Sequence, residues 1–188
     1  MKNSDFILGR VPITKEEVRA ISLAKLDLKE DYNFMDIGSG TGSITVEAGL
    51  KNKGIRVTSI EMDQDAFELT RLNIDKFNIK NVVQIRDKAP ITLKEYGLQD
   101  SYQAIFLGGS GDNLEEILDW SYKILDKGGK LVSNYILLEN AIRSYNFMKK
   151  IGFKNIELIQ VGVAVLENLG GGSYLKPKNP IIIISGEK

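Results

Sequence analysis

Residues 36 to 42 read Asp36-Ile37-Gly38-Ser39-Gly40-Thr41-Gly42, and this glycine-rich stretch decides the fold. The apolar run at 34–37 predicts a short strand before the glycines, and residues 43–50 predict a helix after them. Glycine permits the positive φ of a tight turn and lets the backbone approach a ligand closely. The stretch therefore predicts a strand, a turn and a helix whose first amides are free to bind an anion.

The alternation of strands and helices continues beyond this turn. Strands are predicted at 55–62, 82–85, 102–107 and 130–137, and helices at 64–77, 114–125 and 139–150. A helix should also begin at Thr14-Lys15-Glu16-Glu17, which has the S/T-x-x-E form of a capping box. Strands separated by helices of this length form a parallel sheet that is covered on both faces.

The last forty or so residues break the alternation. Residues 156–166 and 181–185 are strand-like, with Gly170-Gly171-Gly172 and Pro177 between them, and we interpret them as a closing antiparallel hairpin. The predicted fold is α/β: a Rossmann-like, doubly wound, mostly parallel seven-stranded sheet with a C-terminal antiparallel hairpin. Residues 1–188 form a single domain in this interpretation, and residues 1–26 provide an N-terminal segment and helix that cap the ligand site.

The composition excludes several classes of function. The 188 residues include no cysteine and no histidine, so thiolate or imidazole metal sites and Ser-His-Asp catalysis are impossible, and no metal is expected. Lys+Arg and Asp+Glu both number 25, which gives no reason to expect a nucleic-acid partner. There is no signal-peptide pattern and no apolar run of ~18 residues, so we expect a soluble cytoplasmic protein without a membrane partner.

Glu61 ends the second predicted strand, about twenty residues after the turn. A carboxylate in this place can accept hydrogen bonds from both hydroxyls of a ribose, so the turn and Glu61 together predict an adenosine-containing ligand. A dinucleotide site is the nearest alternative, but its motif requires Gly or Ala where this chain has Ser43. The acidic Asp36 ahead of the glycines and the closing hairpin favour an S-adenosyl-L-methionine-dependent methyltransferase instead.

The residues after the fourth strand bear on the methyl acceptor. Enzymes that methylate planar amino nitrogens commonly carry an Asn/Asp-Pro-Pro-aromatic turn there, whereas this chain has Leu107-Gly108-Gly109-Ser110-Gly111-Asp112. This difference argues against an adenine or glutamine nitrogen as acceptor. The absence of cysteine excludes the covalent route to pyrimidine carbon methylation.

Several further stretches are distinctive and extend over almost the whole chain. They are Val11-Pro12-Ile13-Thr14-Lys15-Glu16-Glu17-Val18-Arg19, Ala89-Pro90, Gly108-Gly109-Ser110-Gly111, Tyr135-Ile136-Leu137-Leu138-Glu139 and Asn179-Pro180. In these stretches and in the glycine turn, the chain resembles the decarboxylating cobalt-precorrin-6B C15-methyltransferases of cobalamin biosynthesis, in the stand-alone form of the anaerobic pathway.

The resemblance implies a small-molecule tetrapyrrole substrate that is methylated at C15 and decarboxylated at its C12 acetate. It also implies S-adenosyl-L-methionine as cofactor, in contact with Thr14, Gly38, Ser39, Gly40, Thr41, Gly42, Glu61, Lys88 and Ala89. Where the family has Gly-Asp before Ala-Pro, this chain has Asp87-Lys88. The contacts at Lys88 and Ala89 are therefore expected to come from the backbone.

A polycarboxylate substrate would require cations at the mouth of the pocket. The candidate cations are Arg10, Lys15, Arg19, Lys176 and Lys178, and the other candidate substrate contacts are Gly109, Ser110, Asn134 and Tyr135. The cations could equally be ordinary surface charges, and Asn134 and Tyr135 could be packing residues. No catalytic acid or base is assigned, because methyl transfer from a sulfonium requires alignment rather than a side-chain nucleophile.

Two other interpretations stay open at this point. The chain could be a methyltransferase for another small molecule or for RNA, or a relative that binds the cofactor without catalysis. The apolar strand 181–184 and the glycine-rich loop before it predict the contacts of a homo-oligomer, for which a tetramer is possible.

Overall fold

Strands and helices alternate from residue 16 to residue 151 in the computed structural model, which describes residues 1–51, 53–109 and 111–188. The helices are α1 (Glu16–Leu26), α2 (Ser43–Lys51), α3 (Gln64–Lys76), α4 (Leu114–Ile124) and α5 (Leu138–Ile151). The strands are β1 (Asn33–Ile37), β2 (Arg56–Glu61), β3 (Val82–Arg86), β4 (Tyr102–Leu107), β5 (Leu125–Tyr135), β6 (Lys154–Val161), β7 (Ala164–Leu169), β8 (Gly172–Pro177) and β9 (Ile181–Glu187). Short 3-10 helices lie at Asn3–Asp5 and Leu93–Tyr96.

A seven-stranded sheet carries the fold, with the strand order β3-β2-β1-β4-β5-β9-β6. Strands β1 to β5 pair in parallel, and β9 pairs antiparallel with both β5 and β6. The predicted fold class, a mostly parallel doubly wound sheet with an antiparallel end, is confirmed. The strand order reverses direction between β1 and β4, and ligands bind at such a switch point in open α/β sheets.

The two faces of the sheet are covered because its strand residues alternate between them. Phe34 packs with α1 and α2 on one face, and the next residue, Met35, packs with α4 and α5 on the other. Both side chains are completely buried, as expected for a parallel sheet covered by helices on both sides. Within the described part of the chain, no helix is long and apolar enough to cross a membrane.

The C-terminal region differs from the sequence prediction in two respects. Residues 156–166 are not one strand, because β6 ends at Val161 and β7 begins at Ala164 and pairs with β8 in a separate two-stranded hairpin. The strand β8 was not predicted. The isoleucines of β9 lie between β5 and β6 and are buried in the core, so they are not available for the oligomer contacts predicted for residues 181–184.

The start of α1 also differs from the predicted capping box. Lys15 is the N-cap residue and provides no side-chain cap, while the Thr14 carbonyl accepts a hydrogen bond from Arg19 Nη1 at 2.6 Å. The carboxylate of Glu16 accepts from the backbone N–H of Asn3 at 2.9 Å. The start of α1 thus has no side-chain cap and contacts the N-terminal segment instead, so the prediction of the box is wrong.

We predict that Gly42→Ala destabilises the protein more than Gly97→Ala. Both glycines have positive φ, at 74° and 70°, and an Ala in this region costs about 1–2 kcal/mol. Only at Gly42 would the new Cβ collide, at 2.8 Å from Thr70 Cγ2, whereas nothing lies within 4 Å at Gly97. Overpacking adds about 1–3 kcal/mol, so urea unfolding should separate the two variants, and equal losses would contradict this packing.

Candidate functional site

Two glycine turns meet at the switch point of the sheet. One turn follows β1 at Gly38 and the other follows β4 at Gly108 and Gly109. A Cβ on Gly38 would lie 2.9 Å from the Gly109 nitrogen, and a Cβ on Gly108 would lie 2.8 Å from the Gly38 oxygen. The two turns thus touch through their backbones, which requires glycine on both sides and leaves a crevice above the contact.

Two cavities open from this crevice, and Gly38 lines both. The first has a volume of about 300 Å³ and lies toward β2 and β3; its wall includes Glu61, Met62, Asp87, Lys88, Ala89, Gly109 and Asn113. The second has a volume of about 390 Å³ and lies under the N-terminal segment; its wall includes Val11, Pro12, Ile13, Thr14, Lys15, Asp36, Gly40, Phe106, Asn134, Tyr135 and Ile136. The site is therefore an elongated cleft with the glycine turn in its middle.

The Glu61 carboxylate lies at the end of β2, beside the glycine turn. Its two oxygens accept hydrogen bonds from the backbone N–H groups of Gly40, at 2.9 Å, and Asp63, at 3.0 Å. A carboxylate offers about four lone-pair sites, so acceptor capacity remains. Since Glu61 also lines the first cavity, that capacity is available to a ligand with hydroxyl groups.

Asp36 is the unusual group of the second cavity. Its side chain is almost completely buried, Oδ2 accepts a hydrogen bond from Thr45 Oγ1 at 2.6 Å, and Oδ1 has no partner among the described residues. Burial raises the pKa of Asp36 to about 7, and the negative charge of Glu61 contributes a smaller rise. A buried carboxyl oxygen without a partner is costly unless a ligand completes it.

The predicted cofactor residues line the two cavities, with one exception. Gly38, Glu61, Lys88 and Ala89 line the first, and Thr14 and residues 38–41 line the second. Gly42 lines neither, because it packs against Thr70 of α3. Asp87 also lines the first cavity, where hydrogen bonds from the Tyr96 hydroxyl and the Lys88 amide lower its pKa.

The candidate substrate contacts are partly brought together. Lys15, Asn134 and Tyr135 line the second cavity and Gly109 lines the first, while Arg10 and Lys178 are exposed. Lys15 Nζ donates to the Asn179 carbonyl at 2.9 Å, and Asn134 shares hydrogen bonds with Ser22. Ser110 lies outside the described residues.

Burial and pairing characterise three of the candidates, Arg19, Tyr135 and Lys176, and only Arg19 has a structural role instead of the predicted one. Arg19 is completely buried and donates to Glu47, Asn3 and two backbone carbonyls, so its prediction as a substrate cation is wrong. The Tyr135 hydroxyl is buried, which raises its pKa, and the hydroxyls of Ser133 and Ser144 oppose this rise. Lys176 lies on β8 and pairs with Glu167 at 2.9 Å.

Sequence reasoning did not identify two contributors to the site. Asp36 belongs to the predicted turn but is not among the predicted ligand contacts. The buried Asn73 of α3, which donates to the Thr41 carbonyl at 2.9 Å, has no predicted role. Asp36 could have been found from its place at the end of a buried strand. Nothing in the sequence distinguishes Asn73 from an ordinary polar residue of an amphipathic helix.

Comparison with known proteins agrees with this geometry. The model of the precorrin methyltransferase domain family matches residues 9–188. A relative from Saccharolobus solfataricus, named as a probable cobalt-precorrin-6B C(15)-methyltransferase (decarboxylating), is 42% identical over 181 residues, which are 95% of this chain and 89% of that protein. The Salmonella typhimurium protein of the same name, without "probable", is 38% identical over 189 residues, 100% of this chain and 96% of the relative.

Two solved structures of proteins named for precorrin chemistry are also similar to this chain. The precorrin-6y C5,15-methyltransferase from Geobacter metallireducens has a TM-score of 0.91 and 32% identity, covering 100% of this chain and 97% of the other. A Methanobacterium thermoautotrophicum protein described as a precorrin 8w decarboxylase has a TM-score of 0.89 and 25% identity over the full length of both chains. With the glycine turn, the switch-point cleft and these matches in place, the chain belongs to the precorrin methyltransferase family.

Proposed function

We propose that this protein transfers the methyl group of S-adenosyl-L-methionine to C15 of cobalt-precorrin-6B and decarboxylates the C12 acetate of that substrate. The observation that carries the proposal is the two-part cleft on either side of Gly38, with an unpaired buried carboxyl oxygen of Asp36 in its wall. The names of the relatives support the choice of reaction.

The residues of the cleft fit the proposed cofactor. The first cavity suits the adenosine, with Glu61 accepting from the ribose hydroxyls and the backbone at Lys88 and Ala89 beside the base. The second cavity suits the amino acid end, where Asp36 would pair with the ammonium group and the turn would offer amides to the carboxylate. The N-terminal segment, through residues 11–15, would cap this end.

The proposed methyl transfer requires no nucleophilic side chain. Bound S-adenosyl-L-methionine supplies a methyl group on a sulfonium, which is a good leaving group. The protein's task is to align that methyl with a nucleophilic carbon and to exclude water, so a chain without histidine or cysteine is sufficient. When carbon dioxide leaves, the conjugated system of a reduced tetrapyrrole can accept the electron pair of the broken C–C bond, and a proton from solvent then takes the place of the carboxyl group.

The substrate would enter over the rim of the second cavity. Ile136 lines this cavity, and Leu137 and Leu138 continue from it; each of the three is more than half exposed. Contiguous exposed apolar residues mark binding surfaces, and here they suit the apolar faces of a macrocycle. Lys15 lines the same cavity, and the exposed Arg10 and Lys178 are further cations for the carboxylate arms.

A homo-oligomer is the second part of the proposal, and a tetramer is one possible form. The hairpin of β7 and β8 stands apart from the main sheet, and Leu166, Leu169 and Leu175 on it are at least 65% exposed. A two-stranded hairpin is marginally stable alone, so a second copy of this chain packed on these leucines would stabilise it. Location in the cytoplasm, and the absence of nucleic-acid and membrane partners, stay predictions.

The direct test is turnover of cobalt-precorrin-6B with S-adenosyl-L-methionine, followed by mass spectrometry. We expect a product that has gained one methyl group and lost one carbon dioxide.

The variants Lys15→Ala, Arg10→Ala and Lys178→Ala should each raise the substrate KM by up to about tenfold with little change in kcat, because carboxylate binding is lost equally in the ground and transition states. The control is Lys123→Ala on α4, which pairs with Asp119 and lines neither cavity. Cofactor binding without turnover would contradict the reaction and favour a non-catalytic relative.

The affinity for S-adenosylhomocysteine should depend on pH through Asp36. The raised pKa of about 7 means that the free protein holds this carboxyl protonated in acid, and the proton must leave before the ammonium group can bind. Affinity should therefore rise by about tenfold per unit between pH 5 and 7 and then level off. Asp36→Asn should bind weakly at every pH and lack this rise. Calorimetric titration measures it, and a wild-type affinity that is flat from pH 5 to 7 would remove Asp36 from the site.

Replacing the exposed leucines of the hairpin should reduce the size of the assembly. Leu166→Lys and Leu175→Lys place a charge on directly paired positions of β7 and β8. Light scattering after size exclusion should give a smaller mass for each variant than for the wild type. Leu72→Lys, at a half-exposed leucine of α3, is the control and should leave the mass unchanged. A monomeric wild-type protein would refute the oligomer.

A further inference from the structure

We infer that Asn73 is a positioning residue that ties the N-terminal segment to the glycine turn, so that each holds the other in place. The segment concerned is residues 6–15, called the strap below. The inference rests on the proposed function only for the identity of the ligand. The coupling itself is a property of the protein without ligand.

Asn73 joins the strap and the turn with one amide group. Its side chain is completely buried on α3. Oδ1 accepts from the backbone N–H of Ile7 at 2.7 Å, and Nδ2 donates to the carbonyls of Ile7, at 3.0 Å, and Thr41, at 2.9 Å. Both donor hydrogens and the acceptor oxygen are therefore used, with two of the three hydrogen bonds to Ile7 of the strap and one to Thr41 of the turn.

Only an amide side chain satisfies this set of partners. One N–H group faces Oδ1 and two carbonyl oxygens face Nδ2, which fixes the orientation of the amide. A carboxylate in the same place would set an oxygen against two carbonyl oxygens. Each buried carbonyl left without a donor costs about 1–3 kcal/mol, so Asp is not a conservative replacement here.

Arg19 and the ring of Phe6 also fix the strap, near its end and at its first residue. The buried Arg19 guanidinium donates to the Thr14 carbonyl at 2.6 Å and lies 5.0 Å from the centre of the Phe6 ring. Phe6 also packs on Phe77, with ring centres 5.4 Å apart. The strap is thus held at Phe6 and Ile7 and again at Thr14, and the residues between them from Val11 onward form a wall of the second cavity.

The same helix also holds the turn at the preceding residue. Thr70 lies three residues before Asn73 on α3, and its Oγ1 donates to the Gly40 carbonyl at 2.8 Å. Residues at this spacing share one face of a helix, so side chains of α3 donate hydrogen bonds to the consecutive carbonyls of Gly40 and Thr41. The amide of Gly40 is meanwhile bound by Glu61. Loss of the Asn73 amide would therefore free Ile7 of the strap and the Thr41 carbonyl of the turn together.

The test compares Asn73→Asp with Gln84→Glu, a matched exchange of amide for acid. Gln84 lies on β3, and its Nε2 donates to the carbonyl of Phe67 on α3 at 2.6 Å. Gln84 lines neither cavity and makes no hydrogen bond to the strap. In Asn73→Asp without ligand, we expect faster amide hydrogen exchange in residues 7–14 and 40–45 together. The dissociation rate of S-adenosylhomocysteine should rise by about tenfold or more, the effect of losing about one hydrogen bond. Gln84→Glu should show neither change.

A second variant, Phe6→Leu, loosens the start of the strap through its packing on Phe77 and leaves the Asn73 amide and the residues of the turn unchanged. Exchange in residues 40–45 should rise in this variant too, and the ligand should dissociate faster. The inference is overturned if exchange rises in only one of the two segments, or if Gln84→Glu accelerates dissociation as much as Asn73→Asp. A wild-type protein that binds no S-adenosylhomocysteine would refute the proposed function, while the exchange measurements would still decide the coupling.

Discussion

The backbone contact between the turns after β1 and β4 is the constraint on which the site depends. A Cβ at Gly38 or Gly108 would lie within 3 Å of the opposite backbone, so the two strands can end side by side only with glycine at both positions. This contact sets the floor of the crevice at the point where the strand order reverses. Both cavities, and with them Glu61 and Asp36, are arranged around Gly38.

Polar groups are buried at this edge of the sheet for different reasons. Arg19 and Asn73 have their hydrogen-bonding groups satisfied by the protein, and they give the N-terminal segment a fixed course. Asp36 has one oxygen that the described residues leave without a partner. This difference distinguishes Arg19 and Asn73, which build the site, from Asp36, which we propose to pair with a ligand, because an unpaired buried oxygen is tolerated where binding compensates it.

Much of the fold could be predicted from the sequence, because up to residue 151 the periodicity of apolar residues matches the strands and helices that the structure contains. The strand, turn and helix around Gly38, the carboxylate of Glu61 and the closing antiparallel pairing all follow from periodicity and glycine placement. The misses arise from contacts between distant residues. The role of Arg19 depends on Met1, Asn3 and Glu47, which no local pattern encodes. The same is true of Asn73, whose partners lie 66 and 32 residues away. The hairpin of β7 and β8 is a different case, because its Gly170-Gly171 turn is a local signal that the sequence interpretation did not use.

The position of β9 has a consequence for how the chain folds during synthesis. Residues 181–187 insert between β5 and β6, and both of these strands pair with β9. A nascent chain that has emerged only as far as β6 can form the parallel strands and the glycine turn, but it leaves the edge of β5 unpaired. Such an edge is a template for association with other chains until it is covered. Closure of the sheet is thus a late, long-range event, and the ribosome must release β9 before the edge of β5 is protected.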